Sequence, residues 1–154
     1  MSGAALNRHR SKQDYATPWE LIRAVEDRFG PISVDLAASP ANTKATSYFT
    51  EEDNSLIRFW HKYPGILWLN PPFSNIAPWA KKCANESAQG AKIIMLAPAS
   101  VGANWFVEHV HQKAMVLALQ GRITFEGATD PYPKDCILSC YGFGVVGFDV
   151  WKWR

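Results

Sequence analysis

No stretch of this 154-residue chain holds the ~18 consecutive apolar residues of a membrane-spanning helix, and the N-terminus has no apolar signal-peptide core. Cysteine is scarce. Cys83, Cys136 and Cys140 are an odd number without metal spacing to a histidine pair, which suits a reducing compartment better than a disulfide framework. Ile137, Leu138 and Ser139 between the last two read as strand interior, so core thiols fit better than zinc ligands. One-signed charge is also lacking: 16 Lys and Arg against 14 Asp and Glu leave +2, too little to announce a nucleic-acid partner by itself. Repeats and low-complexity segments are absent, as is any Ser/His/Asp or metal set; His61, His109 and His111 have no recognisable partners.

What is present points to one globular domain. Hydrophobic residues make up 47% of the chain, enough for a real core at this length. Residues 1–13 read as a disordered arm in which Arg8, His9, Arg10 and Lys12 could neutralise phosphates, and 14–154 as a single domain. Thr17-Pro18 predicts a helix start, with Thr17 as the cap and Pro18 in the first helical position. The stripe Trp19, Leu21, Ile22, Val25, Phe29 continues it to Gly30-Pro31. Strands are expected at 32–36, 48–50, 66–69, 92–97, 114–119 and 122–125, with helices at 51–60, 75–89 and 104–113. Two further strands, 136–141 and 145–150, are expected to pair around Gly142–Gly144. Strands alternating with helices and then clustering at the end imply an α/β fold, mostly parallel with an antiparallel C-terminal edge.

Ile66-Leu67-Trp68-Leu69-Asn70-Pro71-Pro72-Phe73 is the most informative segment. An apolar run ends in an amide, and two prolines forbid any continuation of ladder or helix. At the carboxyl edge of a parallel sheet, where α/β proteins bind ligands, Asn70 offers a side-chain oxygen. Pro71 offers a carbonyl with no competing N–H, and Phe73 offers a flat face. Two acceptors beside a ring suit the exocyclic amine of a planar base. A rigid strand-ending turn with Phe73 in the core is the bland alternative.

The segment resembles the Asp/Asn/Ser-Pro-Pro-Tyr/Phe motif of amino-group methyltransferases that use S-adenosylmethionine (SAM). Within that class the chain resembles the small phage-type DNA N6-adenine methyltransferases, the Dam family, over most of residues 14–150. The order of pieces carries the match: Tyr15-Ala16-Thr17-Pro18, then Asp35 at a strand end, then Asn70-Pro71-Pro72-Phe73, then Gly121-Arg122-Ile123-Thr124-Phe125. The resemblance implies a Rossmann-like SAM-dependent methyltransferase fold without a separate target-recognition domain. It also implies a catalytic set of Asn70, Pro71, Pro72 and Phe73. Tyr15, Thr17 and Pro18 would lie over the methionine end of SAM. Asp35 would face its ammonium, Ala37 would let it approach the backbone, and Asp53 would contact its adenosine. Phe73, Arg122 and Phe125 would bound the target base, flipped out of the duplex.

DNA is the partner so implied, in the cytoplasm of a bacterial host, with the protein encoded by a phage or prophage. Cytosine N4, RNA adenine and a catalytically silent DNA-binding module remain open as other readings. Trp105, Trp151 and Trp153 are open to stacking, packing or contact within a homodimer.

Overall fold

The computed structural model describes residues 15–154, so the basic arm expected at 1–13 lies outside the described residues. Helix α1 (Trp19–Phe29) turns Leu21, Ile22 and Val25 inward and ends at Gly30, whose φ of +117° suits glycine. Strands β1 (Ile32–Asp35), β2 (Ser47–Tyr48), β3 (Ile66–Leu69) and β4 (Lys92–Pro98) run parallel to one another. Strand β5 (Met115–Leu119), β6 (Cys136–Tyr141) and β7 (Gly147–Trp151) complete a seven-stranded sheet in the order β2-β1-β3-β4-β6-β5-β7.

The expected α/β, mostly parallel, Rossmann-like architecture is what forms, with antiparallel pairing confined to the C-terminal half. There β6 lies between β4 and β5, antiparallel to both. The expected pairing of 136–141 with 145–150 does not occur. After β6, Gly142 and Gly144 at positive φ redirect the chain, and β7 joins the far side of β5 in parallel.

Alternate residues of the central strands feed two cores. Leu67, Leu69, Ile93, Met95 and Ile137 face one side with Trp60, Ala80 and Cys83; helices α2 (Ala77–Ser87) and α3 (Asn104–His109) cover that face. Ile66, Trp68, Ile94, Leu96 and Leu138 face the other, against α1 and the segment carrying Ile123 and Phe125. Burial on both faces explains why β3 and β4 read as continuous apolar runs. Cys83, Cys136 and Cys140 are all buried core thiols, and burial pushes Cys136 and Cys140 up to about 12. Trp153 is core as well, its Nε1 donating to Gln120 O at 3.0 Å.

Three expected elements take other forms. Residues 51–60 are not a helix: a turn at 51–53 leads to Asn54 at φ +52°, and short 3₁₀ turns follow at Ser55–Ile57 and Trp60–Lys62. The buried indole of Trp60 donates to Ser55 O at 3.0 Å and Oγ at 3.1 Å, binding this irregular segment to the core. Residues 122–125 form no strand, because Tyr132 N to Ile123 O at 2.7 Å is an isolated bond rather than a ladder. Thr17 is not the helix cap. Pro18 holds that position in extended conformation without a side-chain cap, and the Thr17 hydroxyl is used elsewhere.

Candidate active site

The chain runs from β1 to β2 on one side, then returns to β3 on the other, so β1 and β3 frame a switch point. Ligands of open α/β sheets bind outside the carboxyl ends of strands at such a point. Asp35 ends β1 and Asn70 follows β3.

Asn70 is locked. Its Nδ2 donates to Tyr15 O and, at 3.1 Å, to Thr17 Oγ1. A backbone carbonyl can only accept, so this contact dictates which end of the amide is nitrogen. The other end, Oδ1, is buried and has no hydrogen-bond partner among the described residues. A buried acceptor without a donor costs about 1–3 kcal/mol, which a ligand donor would recover. The Tyr15-to-Thr17 segment therefore acts as the brace of the motif amide. Pro71 is buried, and Pro72 O accepts from Asn75 N at 3.2 Å, closing the turn.

Phe73 is half-buried in a four-ring cluster with Tyr15, Phe125 and Tyr132, every pair of which is in contact. Tyr15 stacks on Phe125 at 5.1 Å and 20°, and meets Phe73 edge-on at 5.7 Å. Phe73 and Phe125 are T-shaped at 5.9 Å, and Tyr132 meets Phe73 at 5.5 Å and Phe125 at 5.7 Å. Sequence reading placed Phe73 and Phe125 together but missed Tyr132. Its signal was an aromatic between two prolines, Pro131 and Pro133, in an otherwise polar loop.

A cleft of about 450 Å³ opens beside the motif, within the range of small-molecule sites. Ala37, Ala38 and Ser39 form a low wall, Glu51 and Glu52 supply carboxylates, and Asn70, Pro72 and Trp79 close the inner end. A second cavity of about 20 Å³ lies deeper, lined by Tyr15, Thr17, Asp35, Ala37, Lys44, Trp68 and Asn70. Trp68 is part of that lining, and its indole Nε1 is buried with no acceptor among the described residues.

Asp35 is 3% exposed. Burial pushes its pKa up to about 6, against N–H donations from Lys44 at 2.9 Å and Ala37 at 3.3 Å that favour the carboxylate. The Lys44 ammonium is buried, pairs with Glu126 and lies over the Trp19 ring at 4.4 Å. It thus ties the loop after β1 to the segment bearing Phe125.

The remaining expected site residues lie elsewhere. Asp53 does not line the cleft: its carboxylate accepts from Thr50 N at 2.8 Å and Thr50 Oγ1 at 3.0 Å, which holds its pKa below the usual range. Arg122 is exposed, and its nearest acidic partner is Asp135 at 3.9 Å. Pro18 lines neither cavity.

Comparison with known proteins completes the picture. A family model described as "DNA N-6-adenine-methyltransferase (Dam)" matches residues 5–136. A protein of Escherichia phage T1 with the name DNA N-6-adenine-methyltransferase is 33% identical over 110 residues, covering 71% of this chain and 46% of its own length. One of Haemophilus phage HP1 (strain HP1c1), with the same name, is 32% identical over 124 residues, covering 77% of this chain and 70% of its own. The chain thus spans under half of the T1 relative.

Proposed function

This chain belongs to the DNA N-6-adenine-methyltransferase (Dam) family, and from that premise we propose that it transfers a methyl group from SAM to the N6 amine of adenine in DNA. One observation carries the reading above all others: an amide oriented by Tyr15 and Thr17 so that its oxygen alone is left for a ligand. An exocyclic amine is the donor that such an acceptor lacks.

The cleft supports a place for SAM. Ala37, Ala38 and Ser39 leave room for close approach to backbone, and Glu51 and Glu52 can accept from ribose hydroxyls in the role first expected of Asp53. Asp35, with Tyr15 and Thr17, would hold the methionine end, and its carboxylate suits the ammonium there. When bound, SAM supplies an electrophilic sulfonium methyl. The protein's own part is positioning and electrostatics. Asn70 Oδ1 and the Pro71 carbonyl accept the two N–H bonds of N6, drawing nitrogen out of conjugation and raising electron density at its lone pair. The aromatic cluster provides stacking for a base that has left the duplex. With an amide at position 70, the proton released after transfer goes to water. The phage sources of the relatives support a setting in the cytoplasm of a bacterial host. Among the described residues, no helix is long and apolar enough to cross a membrane.

The test is transfer of radiolabelled methyl from SAM to a defined plasmid, with the modified bases mapped. Asn70→Ala is expected to lower the rate by about 100-fold or more while leaving the melting temperature within a few degrees. Retained transfer in the folded variant would remove Asn70 from the chemistry, and label on cytosine would replace the substrate.

A further inference from the structure

The four-ring cluster has no room for a base. Planar groups stack about 3.5–4 Å apart, so a purine held between two facing rings needs them about 7 Å apart. Phe73 and Phe125 are 5.9 Å apart and steeply inclined, and Tyr132 meets the edges of both. Tyr15 is the one ring lying parallel to Phe125, at 5.1 Å and 20°, in the attitude a stacked base would adopt. A second observation agrees with this. Asn70 Oδ1 is sealed from solvent and without a partner among the described residues, while a residue bonded to the other end of that amide is Tyr15 itself. A donor can reach the oxygen only if something withdraws.

We infer that the Tyr15 ring occupies the target base's own place and vacates it on binding, the base then stacking on Phe125 and Phe73 with Tyr132 against its edge. This deepens the methyl-transfer reading and rests on it. The Tyr15 carbonyl and ring have separate duties. Rotation about Cα–Cβ moves the ring out while the carbonyl continues to hold Asn70 Nδ2, so the acceptor keeps its orientation. Competition between ring and base lowers apparent base affinity by the fraction of molecules already open.

Single-stranded dA12, whose adenines need no flipping, is the probe, with dT12 as control. The full chain carries 3-fluorotyrosine at its five tyrosines, with Tyr15 and Tyr132 assigned through Tyr15→Phe and Tyr132→Phe. Titration with dA12 is expected to move the Tyr15 fluorine signal to the solvent-exposed region and to shift Tyr132, with little response to dT12. Tyr15→Ala is expected to bind dA12 about 3–10-fold more tightly, because the competing ring is gone. Phe73→Ala, its fold checked by melting, is expected to bind it at least about fivefold more weakly. A stationary Tyr15 signal, or unchanged or weakened dA12 binding by Tyr15→Ala, would overturn the inference. Methylation of plasmid by the unaltered chain is scored separately, so failure of the substrate reading is distinct from failure of the Tyr15 inference.

Discussion

Protonation of Asp35 links the fold to the proposed cofactor site. Its pKa of about 6 in the folded chain lies above the ordinary 3.8, so the folded state binds the proton more tightly than the unfolded one. Asp35's contribution to stability is therefore greatest below pH ~4 and is lost as pH rises through 6, by about 3 kcal/mol at most. An ammonium ligand reverses the preference, because it needs the carboxylate ionised. SAM affinity is expected to be about tenfold weaker at pH 5 than at pH 8, and Asp35→Asn is expected to flatten that dependence. Calorimetric titration across the range checks both, and a steep profile retained in the variant would place the titrating group elsewhere.

At this scale the sequence was most readable where chemistry and backbone grammar coincide. Asn70 and Phe73 were marked by the prolines beside them. Tyr132 also lies between prolines, but its relevance, like that of Trp68, depends on contacts across the fold that no local pattern shows. The duty of Thr17 was misassigned for a similar reason: a Thr-Pro step signals a cap locally, but a partner 53 residues away claims the hydroxyl.

At the scale of elements, two-sided burial made β3 and β4 legible, since both run apolar without interruption. The segment from 51 to 60 was not, because its apolar spacing mimics a helix while Asn54 in the left-handed region interrupts it. Of the two glycines in the turn after β6, Gly142 is the one with no space for a side chain. Gly142 has φ +85°, and a Cβ there would lie 2.2 Å from Ala91 O, a backbone atom that cannot step aside. Gly142→Ala is expected to cost about 2–4 kcal/mol, read as a lower denaturation midpoint. Gly90→Ala serves as control: it also has positive φ, but a Cβ there meets nothing within 4 Å. A smaller loss than in the control would show that the turn yields easily.

For the whole molecule, charge is nearly balanced at +2, so the proposed attraction to DNA would have to come from its distribution. Arg8, Arg10 and Lys12 lie shortly before Tyr15 in the chain. Deleting residues 1–13 is expected to reduce the slope of log affinity against log salt by about 2–3, near 0.9 for each phosphate no longer neutralised. An unchanged slope would exclude the arm from the interface.

The mixed sheet also sets an order of events. Among the described residues β5 pairs with β6 and β7 alone, both made later, whereas β1 to β4 can pair with one another before β5 is made. On a ribosome, β5 leaves the exit tunnel with no partner and waits until residues 136–141 arrive to join it to β4. A nascent chain arrested before that point holds half a sheet and an orphan apolar strand. Synthesis of residues 136–141 is thus the step that separates a closed sheet from a chain open to chaperones.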